Sequence, residues 1–291
     1  MRNPVGLLAI IVCILVNPLP AQYQSGNRVS YSHANTYSSK TFLPRMSINS
    51  QGLYWDSVTA DMRSVLLSPL QWDSGEWMRF SMIMGAAGVL YANDVALLKG
   101  MSELWDHDSY GISYWAEKFG NKNVLLPALA LTYTGGLIGD NSKLRNTVLL
   151  SLKSWGTANL VTALLKRSSG RLRPYMNVGP RVWTGENNQG YRQSFPSGHT
   201  TYAWSVATVF ATEYADQRWV PPLCYGLATL TGLGRMEGDL HWASDVLIGA
   251  AIGYYVGKSV STLNRNHLWK SVNIVPQINT SGMSLGLSYD F

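Results

Sequence analysis

The chain has 291 residues, enough for one large domain with terminal additions. Hydrophobic residues make up 46% and charged residues 14%, against about a quarter charged in ordinary soluble domains, which points to a large core, a membrane association, or both. The net charge of +6 favours an anionic partner, while the apolar, tryptophan-rich surroundings of the basic residues argue against nucleic acid.

In chain order, the first 21 residues read as a signal peptide. Arg2 supplies the positive start, residues 5–16 the apolar centre, and an Asn-Pro-Leu-Pro stretch a helix-breaking exit ending at Ala21. The apolar centre is shorter than the roughly 20 residues a membrane span requires. An uncleaved anchor is the alternative. Cys13 lies in this segment, with Val12 too large for a lipid-attachment context. Only Cys224 would remain after cleavage, and one thiol forms no internal disulfide. The expectation is export to the periplasm or cell envelope. Residues 22–52 are rich in Ser, Tyr, Asn and Gln without a sustained period, and 22–70 is expected to be poorly ordered or peripheral.

Helical periodicity begins near residue 55. Asp73 and Ser74 precede an apolar run as a capped helix start would, and further helices are expected over 124–138, 146–166, 200–215, 220–233 and 244–262. The fold class is therefore all-α, a helix bundle over residues 71–265. No charge-free run reaches 18 residues, because single charges such as Asp94, Lys153 and Glu213 interrupt them. The reading favours a soluble or membrane-surface bundle over an embedded one. At the end, residues 266–291 form a tail in which Met283, Leu285, Leu287, Tyr289 and Phe291 alternate with small or polar residues. That is a strand pattern, and a short β-hairpin turning at Thr280-Ser281-Gly282 is expected. It resembles the last strand of an outer-membrane barrel, but one hairpin cannot close a barrel.

Three stretches carry chemistry. In the first, Lys166 ends an apolar helical run and Arg173 stands directly before Pro174. Taken singly this is a basic helix end. In the second, Pro196-Ser197-Gly198-His199 opens a helix, where free N–H groups, a hydroxyl and a glycine suit an oxyanion. In the third, Arg235 is followed by His241 and then by Asp245 four residues on. Positions i and i+4 share a helical face, so the Asp245 carboxylate is expected to accept a hydrogen bond from the His241 ring, fixing its tautomer and leaving a nucleophilic nitrogen. Asp245 could equally cap the next helix.

Together, Lys-x6-Arg-Pro, Pro-Ser-Gly-His and Arg-x5-His-x3-Asp resemble the superfamily of type-2 phosphatidate phosphatases, bacterial acid phosphatases and vanadium-dependent haloperoxidases. The resemblance implies a bundle of about six core helices. It also implies a hydrolase of phosphate monoesters or pyrophosphates, with a lipid phosphate of phosphatidate or prenyl diphosphate type as the favoured substrate. Lys166, Arg173 and Arg235 would hold phosphate oxygens, with the Ser197 hydroxyl and the Gly198 N–H as neutral donors. His241 would form a phosphohistidine supported by Asp245, and His199 would protonate the leaving group and then activate water. No metal or other cofactor is implied, since the cations neutralise the charge. Two features depart from the family pattern: Gly234 replaces the usual serine before Arg235, and Glu237 and Asp239 stand between Arg235 and His241. The alternatives are a periplasmic acid phosphatase without lipid preference, a haloperoxidase holding vanadate at the same residues, and an envelope protein anchored by its C-terminal strand.

Overall fold

The computed structural model describes residues 50–104, 115, 117–185, 190–268, 272–279 and 282–289. The expected signal peptide and residues 22–49 lie outside them. The described chain is mostly helical. Its seven α-helices are α1 (Ser50–Leu67), α2 (Ser74–Leu104), α3 (Lys122–Ile138), α4 (Ser142–Ser169), α5 (Gly198–Glu213), α6 (Val220–Glu237) and α7 (Ala243–Leu268). The residues expected to form the C-terminal hairpin lie beyond this helical body.

Local sequence explains where the helices begin and end. At the start of α2, Asp73 Oδ1 accepts from Glu76 N at 2.8 Å and Glu76 Oε2 accepts from Asp73 N at 3.1 Å, a reciprocal capping box. Asn121 and Asn141 cap α3 and α4 through side-chain oxygens. Gly170 ends α4 with φ 60°, and a Cβ there would lie 2.0 Å from the Gly185 carbonyl oxygen, so only glycine fits. The Pro221-Pro222 pair opens α6, where missing N–H groups cost nothing.

The α5 helix is the axis of the bundle. Of its residues, Ala203, Trp204, Val206, Ala207, Val209 and Ala211 are all buried apolar positions, and Thr200, Thr201, Ser205 and Thr208 are buried too. The seam with α7 is made by Gly249, Gly253 and Gly257, spaced one turn apart. A Cβ on each would lie 2.7 Å from Ser197 O, 2.4 Å from Thr201 O and 2.7 Å from Ser205 O, respectively. The two backbones therefore run in contact, which fixes the start of α5 against the start of α7. The α1 helix, from the stretch expected to be peripheral, contributes Val65 to a core cluster with Leu150, Val209 and Val256.

Three helical stretches are long and apolar enough, by length and composition, to cross a membrane. They are Ser74–Glu103, Ser142–Ser169 and Ala243–Asn264, with mean hydropathies of 1.4, 1.3 and 1.3. This corrects the expectation that single charges break every apolar run. Lys153 donates to Asp61 at 2.7 Å, and Asp94 accepts from Arg171 at 2.7 Å, all four side chains being buried. A charge satisfied inside the bundle, by α1 for Lys153 and by the segment after α4 for Asp94, does not interrupt the outer face of its own helix.

Candidate active site

All eight predicted site residues gather at one end of the bundle, where α4 and α6 end and α5 and α7 begin. Ser197 is the N-cap residue of α5, and its own N–H donates to the Asp245 carbonyl at 3.1 Å. Its hydroxyl pairs with Thr200 Oγ1 at 2.8 Å instead of capping a backbone amide. The first intrahelical bond of α5 is Thr201 N to Ser197 O, so the amides of Gly198, His199 and Thr200 precede it and form the anion-binding end of the helix.

Three cations converge there from separate elements. Lys166, in the last turn of α4, donates through Nζ to Gln193 O at 2.5 Å, and its Cε lies 3.4 Å from a Cβ built on Gly198. Arg173 is fixed by its backbone N–H on Tyr191 O at 3.1 Å and by the turn Pro174–Met176 that follows. Arg235 lies in the last turn of α6 and donates through Nη1 to Glu117 Oε2 at 2.6 Å. The Nε atoms of Arg173 and Arg235 are both buried without a hydrogen-bond partner, as expected of donors aimed at a ligand. Burial, with the charge of Arg235, pulls the pKa of Arg173 below its ordinary value, and burial does the same to Arg235. Such crowding of like charges in a half-buried space is a site built for a polyanion.

The two histidines lie within this field. His241, in the turn between α6 and α7, is buried, and its Nδ1 lies 2.6 Å from the Ser194 carbonyl oxygen. A carbonyl only accepts, so Nδ1 carries the proton and Nε2 is left with its lone pair. The expected His241–Asp245 hydrogen bond is not made: Nδ1 stands 4.0 Å from Asp245 Oδ2. The reason is geometric. The α7 helix begins at Ala243, so His241 is not in helical phase with Asp245. Asp245 instead accepts from Ser194 Oγ at 2.6 Å, Trp242 N at 3.1 Å and Arg171 Nη1 at 2.5 Å. Burial, then the charges of Lys166, Arg173 and Arg235, hold His241 well below the ordinary imidazole range. His199, second in α5, is pushed down to about 3 by burial first and by Arg235 next. Both rings are therefore neutral near pH 7.

Four contributors escaped the sequence reading. Arg171 stands outside the three motifs, yet it is fully buried between Asp245 and Asp94 and also donates to Ser244 Oγ at 2.8 Å. Asp94 counted as a break in an apolar helix, although a lone carboxylate there is itself a sign of a buried partner. Ser194 supplies a main-chain oxygen, which has no residue signature. Glu117 lies in a connecting segment outside every motif. Burial alone would raise its pKa, but Arg235 and Lys118 outweigh that and hold the carboxyl below its ordinary value. Of the two carboxylates that depart from the family pattern, Glu237 closes α6 and Asp239 makes the left-handed turn after it, with φ 54°. Among the described residues, no group of three or more His, Cys, Asp or Glu is placed to hold a metal ion.

Residues 147–269, which contain all eight predicted positions, match the model of the PAP2 superfamily. Over 118 residues the chain is 39% identical to the lipid A 1-phosphatase of Porphyromonas gingivalis, covering 36% of this chain and 24% of that one. Over 86 residues it is 31% identical to the acid phosphatase of Zymomonas mobilis, covering 29% and 31%. It thus spans less than a third of the length of either curated relative. The crystal structure of a transmembrane PAP2 type phosphatidylglycerolphosphate phosphatase from Bacillus subtilis aligns over 91% of this chain and 98% of that one, with a TM-score of 0.40 and 19% identity.

Proposed function

We propose, from the match of residues 147–269 to the PAP2 superfamily model, that this chain is a membrane-associated phosphoric ester hydrolase that cleaves a lipid phosphate through a phosphohistidine. The observation that carries the reading is the tautomer of His241. With Nδ1–H held by the Ser194 carbonyl at 2.6 Å, the other nitrogen keeps its lone pair in the field of the buried Arg235 and the half-buried Lys166 and Arg173.

The reaction follows from those positions. Lys166, Arg173, Arg235 and the amides at the start of α5 hold the non-bridging oxygens and neutralise their charge. His241 Nε2 attacks phosphorus, the bond to the leaving oxygen breaks, and His199 gives that oxygen a proton. His199, now neutral, takes a proton from water; the hydroxide attacks phosphorus, the P–N bond breaks, and inorganic phosphate leaves. The imidazolium formed on His241 is stabilised by Ser194 O, and Asp245 acts chiefly by holding Ser194 through its hydroxyl. Burial and the cations disfavour a proton on His199, and the phosphate of a bound substrate, whose charge offsets those cations, favours it.

Three observations support a lipid substrate. Three helical stretches have the length and hydropathy of membrane spans. Residues Trp77, Met78, Met82, Val89 and Val95 of α2 expose apolar side chains. The Porphyromonas relative is by name a lipid A phosphatase. The name of the Zymomonas relative favours a second reading, an acid phosphatase without lipid preference. Residues 1–21 are proposed to direct export, and the tail 266–291 to carry a hairpin beyond the end of α7 at Leu268, for which the antiparallel register of Val272 with Tyr289 and Asn279 with Gly282 is the support.

The test is phosphate release from phosphatidate, a prenyl diphosphate and an aryl phosphate, with and without detergent. Wild type is expected to hydrolyse the lipids faster in mixed micelles, and His241→Ala to release nothing. Equal inactivity of folded wild type and His241→Ala on all three substrates overturns the proposal, and an aryl phosphate preferred under all conditions selects the second reading.

A further inference from the structure

Glu117 belongs to none of the three motifs, yet it touches the centre of the site. Its Oε2 accepts from Arg235 Nη1 at 2.6 Å, with the Arg235 side chain 9% and the Glu117 side chain 21% exposed. A guanidinium bonded at one edge is fixed in its plane, and the opposite, Nε-bearing edge of Arg235 is buried without a partner. The segment is also locked to the proton donor. Gly120 N bonds to Glu117 O at 3.1 Å, and a Cβ on Gly120 would lie 2.3 Å from the His199 carbonyl oxygen, so this turn rests directly on the first turn of α5.

We propose that Glu117 is a positioning residue of the phosphate site, turning the Arg235 guanidinium so that its Nε edge meets the substrate phosphate and serving as the counter-charge beside His199. The inference rests on the phosphatase reading of the site and adds to it a residue outside the motifs. The charged groups around His199 are Arg235 from α6, Lys166 from α4, Arg173 from the loop that follows, and Glu117. The first three disfavour a proton on the ring and Glu117 favours one. A proton donor crowded by three cations needs such a carboxylate to be recharged in each turnover. A direct competitor for Arg235 would behave in the opposite way, since its removal would tighten phosphate binding.

Two variants separate these roles, with aryl phosphate as substrate, orthovanadate as inhibitor and circular dichroism as the check on folding. Glu117→Ala removes both functions. KM and the inhibition constant for vanadate should rise about tenfold or more, as for a lost hydrogen bond to a charged group, and the alkaline limb of the kcat profile should move to lower pH. Glu117→Gln keeps an acceptor for Arg235 but no charge, so it should restore KM and vanadate inhibition to near wild type while keeping the shifted limb. A folded Glu117→Ala protein with unchanged or tighter vanadate inhibition overturns the proposal, as does a Glu117→Gln protein in which binding and pH profile move together. Arg235→Ala distinguishes the levels. If it weakens vanadate and Glu117→Ala does not, only the role of Glu117 falls. If Arg235→Ala also leaves vanadate unaffected, the phosphate-site reading falls with it.

Discussion

Replacing Arg171 by methionine is expected to be among the most damaging single changes in the protein. The guanidinium is buried and makes four hydrogen bonds: Nη1 to Asp245 Oδ1 at 2.5 Å and to Ser244 Oγ at 2.8 Å, Nη2 to Asp94 Oδ2 at 2.7 Å, and Nε to Pro180 O at 3.1 Å. It also lies 4.9 Å from the Tyr91 ring centroid and 5.0 Å from that of Trp183. Methionine keeps much of the stem's volume but leaves two buried carboxylates without their cation. Breaking such a pair costs about 3–5 kcal/mol. Asp94 keeps Ser244 N and Oγ, and Asp245 keeps Ser194 Oγ and Trp242 N, so the lower end, about 3 kcal/mol, is expected. In a thermal melt of detergent-solubilised protein this corresponds to a Tm drop on the order of 10 °C. Adding Asp94→Asn to the Arg171→Met background removes one orphaned charge and should recover about 1 kcal/mol or more. A loss below about 1 kcal/mol for Arg171→Met, or a double variant no more stable than the single, would refute the reasoning.

Other expectations follow from the packing and the charges. Gly253→Val places a side chain where even a Cβ would meet Thr201 O at 2.4 Å, so it should separate α5 from α7, cost about 1–3 kcal/mol or more, and lower kcat by moving His199 away from His241. The same substitution at Gly226, where nothing lies within 4 Å of a Cβ, is the control and should leave kcat unchanged. His199 binds its proton with a pKa of about 3 when folded and near 6.5 when unfolded, so between these values the unfolded state holds more protons and stability falls as pH is lowered. Denaturation midpoints at pH 7 and pH 5.5 should therefore differ less in His199→Asn than in wild type, and an equal difference would contradict the assignment. His241, held neutral by its burial, acts in the same direction.

Much of the site was legible because its residues are tied to local features that sequence displays. A helix end before Arg-Pro, a Ser-Gly-His at a helix start, and an Arg-to-His spacing across one turn each mark a position on an element, and their order in the chain is the family's order. The cap of α2 was legible for the same reason, Asp73 and Glu76 being close in sequence. What could not be read are partners set by tertiary packing. Glu117 is 118 residues from Arg235, and Asp94 is 77 from Arg171. The acceptor for His241 is a main-chain oxygen, available at any residue. The Asp245 expectation failed because the i, i+4 rule was applied across a helix boundary. Asp94 and Lys153 interrupt apolar runs in the sequence, yet their helices keep the length and hydropathy of membrane spans because each charge is neutralised inside the bundle, which only the fold displays. The glycines at 249, 253 and 257 were visible as a pattern, but which helix they approach is a property of the fold.

The most direct test of the central claim is a rapid-quench search for the covalent intermediate. His199→Ala, which removes the group that activates water, should trap phosphate from a labelled aryl phosphate or lipid phosphate on the protein. The label should be acid-labile, stable in alkali, and mapped to the peptide containing His241, and His199→Ala/His241→Ala should carry none. Turnover by wild type with no label in either form, together with hydrolysis surviving in His241→Ala, would contradict the account.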